Sequence, residues 1–282
     1  MKIAFSSRTY AFLPLYEALD VIAKAGFSYV ELFAEKPHLS PDKFNASMAV
    51  ELSEHLKKYN LTITSIDTSL TQITCENDSQ IGCSWLSEDW KERERRIRYT
   101  LDCARIAAAM GVPQIIISAG SAIPETMDSK EAWRLFVANM FRVLPVMEKL
   151  GVTVVLRPAQ GILIETAEQI LAFLREMEFH PLLGVDIDVA YSYCCGHDPC
   201  EVFNMLAPYV RNIHISGTCG PICRHLPFGE GTLEIARFAR CLRENNYDGL
   251  MTVCFDATGK LPEEVTRKSK AYIQEIMSAV EL

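Results

Sequence analysis

Four residues able to carry chemistry end four successive β-branched runs of this chain. Arg157 closes Val154-Val155-Leu156-Arg157 and Asp188 closes Gly184-Val185-Asp186-Ile187-Asp188. His214 sits in Asn212-Ile213-His214-Ile215 and Cys254 in Met251-Thr252-Val253-Cys254. Asp188 and His214 suit acid–base work or metal ligation, because a carboxylate accepts and an imidazole changes charge near neutral pH. An inward histidine also needs a polar partner or a metal to offset its burial. Arg157 stays protonated at any working pH, and its planar fork matches a substrate phosphate or carboxylate. The competing reading is an internal ion pair with Asp186 or Asp188, which share one parity on the next run. Cys254 is either a ligand or nucleophile, or a small buried apolar side chain. Glu31 either orients a ligand or fills a polar layer.

A second group lies between these runs. Cys223-Arg224-His225 offers a thiol and an imidazole two residues apart, with Arg224 assigned to the substrate. Thiolate and imidazole are donors for zinc or another borderline-soft ion. The segments Tyr193–Cys200 and Cys219–Cys223 are read as cysteine-rich loops, and they lack a Cys-x-x-Cys pair. Asp67–Trp85 reads as a long loop, from which Trp85 could stack on a sugar ring, as could Trp90; packing is the commoner use of such a ring. The run Lys91-Glu92-Arg93-Glu94-Arg95-Arg96 mixes signs at helical spacing and reads as a solvated face.

The elements that must position these residues alternate strictly. Strands are expected at Lys2–Ser6, Ser28–Phe33, Leu61–Asp67, Gln114–Ser118, Val152–Arg157, Leu182–Asp188, Val210–Ser216 and Gly249–Phe255. Helices are expected at Leu15–Ala25, Phe44–Tyr59, Glu88–Met110, Ser129–Leu150, Thr166–Glu178, Pro199–Ala207, Leu233–Asn245 and Pro262–Val280. Gly26, Gly111 and Gly151 suit left-handed helix ends, and Ser87 and Ser129 suit N-caps. Eight βα units spread over residues 1–282, with no linker, favour a single (β/α)8 TIM barrel over an open doubly wound sheet. Active sites of such barrels lie at the C-terminal strand ends, where Ser6, Glu31, Asp67, Ser118, Arg157, Asp188, His214 and Cys254 fall at inward positions.

Composition narrows the function. An apolar share of 49% excludes wholesale disorder, and a net charge of -8 lacks the footprint of a nucleic-acid or anionic-membrane binder. The chain shows neither an apolar run long enough to span a bilayer nor a signal-like N-terminus. A cytoplasmic protein with reduced cysteines is therefore the expectation. The sequence leaves room for a homo-oligomer.

Several motifs in order resemble one family. They are Tyr29-Val30-Glu31-Leu32, Asp102-Cys103-Ala104 through Met110-Gly111, Asn212-Ile213-His214-Ile215, the run from His225 to Leu233 containing Gly229-Glu230-Gly231, and Tyr247-Asp248-Gly249-Leu250. The chain resembles the xylose isomerase-like TIM barrels, which include sugar phosphate isomerases and epimerases, inosose dehydratases and the endonuclease IV type of repair enzyme (AP endonuclease family 2). In the epimerases, the resemblance implies a divalent ion held by Glu, Asp, His and Glu on strands five to eight. Here Asp188 and His214 match, whereas Arg157 and Cys254 replace both glutamates. Tyr191 breaks an Asp-x-x-His motif, and Cys223-Arg224-His225 replaces the Asp-x-His of the repair enzymes. Ser118 stands where those enzymes offer a histidine.

The resemblance therefore implies a divergent member: an isomerase- or epimerase-like enzyme, with a lyase or dehydratase also open, acting on a small polyhydroxylated or sugar-derived substrate, with an anionic group on it left open. Catalytic residues would be Asp188, His214, Arg157 and Cys254; substrate-binding residues would be Glu31, Arg157, Trp85 and Arg224. If a metal is bound, zinc is expected first and iron after it, held by three or four of Asp188, His214, Cys223, His225 and Cys254, because thiols replace carboxylates and a guanidinium repels a hard ion such as magnesium or manganese. A metal-free site is the alternative. The competing functional classes are a barrel that binds a soft metal or small ligand without isomerase activity, and a structural subunit.

Overall fold

The computed structural model describes residues 1–69, 84–257 and 261–281. Its strands are β1 (Lys2–Ser6), β2 (Tyr29–Phe33), β3 (Thr62–Asp67), β4 (Gln114–Ser118), β5 (Thr153–Arg157), β6 (Leu183–Asp188), β7 (Val210–Ile215) and β8 (Leu250–Val253). They close into a barrel in chain order, as expected, rather than remaining an open sheet. The helices are α1 (Leu15–Lys24), α2 (Ala46–Tyr59), α3 (Trp90–Ala109), α4 (Ser129–Leu150), α5 (Ala167–Glu176), α6 (Val189–Cys194), α7 (Pro199–Leu206), α8 (Ile235–Glu244) and α9 (Pro262–Glu281). Among the described residues, no helix is long and apolar enough to cross a membrane.

Parallel strands covered on the outside by helices are buried on both faces, so they read as near-continuous apolar runs such as Ile115–Ile117 and Val154–Leu156. All six of those side chains are buried. Register follows parity: Ser6 lies opposite Glu31, Ser118 opposite Arg157, and His214 opposite Thr252. The helices present one apolar stripe each. In α8, Ile235, Phe238, Ala239, Cys241 and Leu242 are buried at helical spacing.

Several local expectations are corrected. Asp128 and Asp89 cap α4 and α3, not Ser129 and Ser87. The Asp128 carboxylate accepts from Lys130 N and Glu131 N, and that of Asp89 from Lys91 N, while Ser87 Oγ donates to Glu92 Oε2 at 2.6 Å. The segment read as a loop from Tyr193 to Cys200 is helical at both ends: α6 ends at Cys194, and α7 begins at Pro199 behind an Asp198 cap. The last strand is shorter than Gly249–Phe255, so Cys254 follows it. Gly26, Gly111 and Gly151 do take positive φ at helix ends. Of the expected loop Asp67–Trp85, residues 70–83 lie outside the described residues.

Two compact units can be distinguished. The first contains Met1–Ser40, Phe44–Thr64 and Ile187–Leu282; the second contains Pro41–Lys43 and Ser65–Asp186. In the first, the Phe5 ring meets Phe27 and Phe255 edge-on and stacks on Tyr10. In the second, Phe136 lies between Trp85 and Phe173, and the Arg96 guanidinium lies 4.9 Å from the centre of the Trp85 ring.

A buried histidine ties the N-terminal strands of the first unit together. Ser7 Oγ accepts from Phe33 N at 2.9 Å and lies 3.0 Å from His38 Nδ1, while His38 Nε2 lies 3.1 Å from the Leu13 carbonyl. The carbonyl can only accept, so Nε2 carries the proton and Ser7 donates to Nδ1. Burial pushes the His38 pKa down to about 4, outweighing the bonds to the Leu13 and Tyr10 carbonyls that would raise it. A depressed folded-state pKa means that the unfolded chain binds the extra proton more readily. The stabilisation is therefore complete above the unfolded value of about 6.5 and is lost as pH falls toward 4. Urea unfolding across this range is expected to show roughly 3 kcal/mol lost to His38, a slope that His38→Gln removes.

Candidate functional site

Arg157 ends β5 with its guanidinium buried in the second unit. Its Nε donates to Asp186 Oδ2 at 2.5 Å, and its Nη1 donates to Asp67 Oδ2 at 3.1 Å and to Ser69 Oγ at 2.9 Å. Asp67 and Asp186 are fully buried, and Ser69 N donates to Asp67 Oδ1 at 2.8 Å. The arrangement is that of an internal ion pair, and a substrate anion would have to displace one of two carboxylates. The partner could be read from parity in Asp186; Asp67 could be read only as an inward residue, and Ser69 had no signal. Trp85, expected to stack on a sugar, is corrected to a core residue. It is 0% exposed, with its backbone N–H donating to Ser121 Oγ and its carbonyl accepting from Asn139 Nδ2. Trp90 is exposed at the first turn of α3.

The remaining expected residues fall in the first unit, in two groups. One surrounds His214, which is 3% exposed. Its Nε2 lies 2.9 Å from Glu31 Oε1, and its Nδ1 lies 2.8 Å from Asn212 Nδ2, whose amide oxygen accepts from Thr252 Oγ1 at 2.8 Å. Asn212 and Thr252 were overlooked in the sequence. Both lie two residues before an inward site residue, His214 and Cys254 respectively, so strand parity was the signal that could have found them.

The other group surrounds His225. Asp188 ends β6 and caps α6, its Oδ1 accepting from Tyr191 N at 3.0 Å. Its Oδ2 lies 3.5 Å from His225 Nε2, while His225 Nδ1 lies 3.0 Å from Ser216 Oγ. The ring is 41% exposed. Cys223 Sγ lies 3.9 Å from the same Nε2 and hydrogen-bonds with Cys194, whose sulfur also lies 3.1 Å from Thr218 Oγ1. Burial first, then the Asp188 carboxylate and the neighbouring thiols, push the Cys223 thiol pKa up. Arg224 is exposed on the same segment. Cys254 is half-buried, with its N–H on the Ile215 carbonyl at 3.2 Å.

The backbone holds this segment closely. Gly217 and Leu226 form a two-way bridge with both N–H···O distances at 2.8 Å. A Cβ on Gly217 would lie 2.5 Å from the Glu230 carbonyl oxygen, and Gly231, at φ +136°, passes directly over the Thr218 backbone. Asp256 N also donates to the His225 carbonyl at 2.8 Å.

These donors do not fit the family's ion. Among the described residues, no group of three or more His, Cys, Asp or Glu side chains is placed to hold a metal. The expected zinc set of Asp188, His214, Cys223, His225 and Cys254 is not gathered into one such group among the described residues. His214 has both ring nitrogens engaged by Asn212 and Glu31.

The charges around Arg157 carry a stability consequence. Arg157→Leu leaves Asp67 and Asp186 buried without their counter-charge and is expected to cost about 3–5 kcal/mol by urea unfolding. Combining it with Asp67→Asn and Asp186→Asn is expected to recover most of that loss, since the charges that required pairing are gone.

The model of the xylose isomerase-like TIM barrel family matches residues 19–276. Fructoselysine 3-epimerase of Escherichia coli O157:H7 is 21% identical over 258 residues, which cover 90% of each chain. The crystal structure of a D-tagatose 3-epimerase-like protein superposes with a TM-score of 0.84 at 19% identity, covering 100% of this chain and 98% of that one. The crystal structure of the IolI protein with a binding zinc atom gives a TM-score of 0.80 at 15% identity over 99% of both chains. At these identities the structural likeness concerns the fold, and the matched span covers nearly the whole sequence: the chain belongs to the xylose isomerase-like TIM barrel family.

Proposed function

We propose that this protein is a sugar isomerase- or epimerase-like enzyme acting on a small polyhydroxylated, anionic substrate, with His225 as its proton-transfer group. The observation that carries the reading is the His225 ring itself, which is partly open to solvent and held by Ser216 at Nδ1 and Asp188 at Nε2. Isomerisation or epimerisation beside a carbonyl requires removal and return of a carbon-bound proton. An imidazole can accept a proton and return it, which suits both steps. With Nδ1–H donated to Ser216 Oγ, Nε2 is the atom that gains and loses the proton. The Asp188 carboxylate then stabilises the protonated ring.

The two relatives named as 3-epimerases support the reaction class, since sugar epimerisation is the activity their names carry. Arg224 takes the role of anion binding, because it is exposed beside His225 while the Arg157 fork already holds two carboxylates. Cys254 is assigned as the second protic group near the substrate. The buried Glu31–His214 pair supports the site from within the barrel. We assign no ion to it: among the described residues no three His, Cys, Asp or Glu side chains are placed to hold one, and both ring nitrogens of His214 are engaged.

The test is carbon-bound hydrogen exchange. Ketoses and ketose phosphates are incubated with the protein in D2O, and deuterium at the carbon next to the carbonyl is read by proton NMR. His225→Asn is expected to lower the exchange rate by about 10²–10⁴-fold. Asp188→Asn is expected to lower it by a smaller factor, and Arg224→Ala to raise KM for the phosphorylated substrates alone. Full exchange in the His225→Asn variant would overturn the assignment.

A further inference from the structure

The hydrogen bonds around His214 fix where its proton lies. Thr252 Oγ1 donates to Asn212 Oδ1 at 2.8 Å, which turns the amide oxygen toward β8. The amide nitrogen therefore faces His214 Nδ1, also at 2.8 Å. An amide NH2 only donates, so Nδ1 accepts and carries no proton. The single ring proton then sits on Nε2, which donates to Glu31 Oε1 at 2.9 Å. Donation runs one way along the chain, from Thr252 through Asn212 and His214 to Glu31.

The burial of this chain gives the order force. Asn212, Thr252 and Glu31 are fully buried and His214 nearly so, leaving little water to compensate a mismatched donor pair. A second proton on Nδ1 would point at the amide hydrogens. It could be accommodated only by rotating the Asn212 amide half a turn and reversing the Thr252 hydroxyl. A cation would meet the same obstacles, since Nδ1 faces the amide and Nε2 holds the proton shared with Glu31.

We propose that Asn212, oriented by Thr252, is a positioning residue that holds His214 as the neutral Nε2–H tautomer and keeps it closed to divalent cations. The inference deepens the reading of the site proposed above, but it rests on geometry remote from the chemistry of His225. It also gives a role without a metal to a histidine that matches a family metal position, in a chain where Arg157 and Cys254 replace the family's two glutamates.

The experiment uses the full chain labelled with 15N at histidine, with long-range proton–nitrogen correlation spectra near neutral pH. The His214 signals are identified by their loss in His214→Gln. The expected wild-type pattern is one unprotonated nitrogen, Nδ1, and one protonated nitrogen, Nε2. Equimolar manganese chloride is expected to leave these signals unbroadened. In Asn212→Asp the side chain accepts rather than donates, so Nδ1 is expected to move across the whole span to the protonated position. If that variant does not fold, Thr252→Val serves instead: it keeps the shape but removes the donor that orients the amide, and Nδ1 is expected to shift part of the way.

Two protonated nitrogens in the wild type, selective broadening by manganese, or an unmoved Nδ1 in the folded variant would each overturn the proposal. The isotope-exchange assay separates it from the proposed function. Loss of exchange in His225→Asn alongside a doubly protonated His214 defeats only this inference. The expected tautomer alongside a fully active His225→Asn defeats only the catalytic assignment.

Discussion

A charge turned toward the interior of a closed parallel barrel must find its counter-group on the surrounding strands or loops. Water is excluded there, and an unpaired ion costs far more than most single packing contacts contribute. Arg157 meets that constraint with Asp186 from the neighbouring strand, Asp67 from the end of β3 and Ser69 just beyond it. Glu31 and His214 meet it differently, with the buried carboxylate 2.9 Å from the imidazole Nε2. In both clusters each group is placed by its strand register, so losing one partner disturbs the others rather than removing a single contact.

The same constraint separates the two imidazoles at the strand ends of the first unit. His214 sits on the strand itself, and its ring is held from both sides by buried groups. His225 sits on a returning segment whose backbone is pinned by the Gly217–Leu226 bridge and by glycines too crowded for a side chain. Its ring is fixed in place yet open to solvent. Rigid support beneath an accessible titratable ring is what proton transfer asks of a barrel loop. Asp188 serves two purposes: one oxygen caps α6 and the other faces His225, so the helix start and the orientation of the ring depend on one carboxylate.

Much of this was legible in the residues. The alternation of β-branched and amphipathic runs gave the eight strands and their order, though not the short α6, because both periods are local properties of the backbone. Parity identified Glu31, Asp67, Arg157, Asp188 and His214 as inward strand-end residues, and those described here are buried or nearly so. The departures at Arg157 and Cys254 also mark the chain, by its residues alone, as an unusual member of its family. Parity did not distinguish Asp128 from Ser129 as a cap, since adjacent residues that can both cap differ only in backbone geometry.

The sequence by itself determined the barrel, its family, and the chemical types of the residues at its strand ends. Only the tertiary structure decided which of them meet. Trp85 could serve a ligand or the core until Ser121, Asn139 and Phe136 closed around it. Cys223 could lie anywhere on its segment until the fold placed its sulfur against Cys194 and 3.9 Å from His225 Nε2. His214 could bind an ion until Asn212, two residues away in sequence, and Glu31, on another strand, engaged both ring nitrogens. The reason is physical: strand period sets the face a side chain points to, whereas its partners and its proton depend on distances of a few ångströms between segments far apart in the chain.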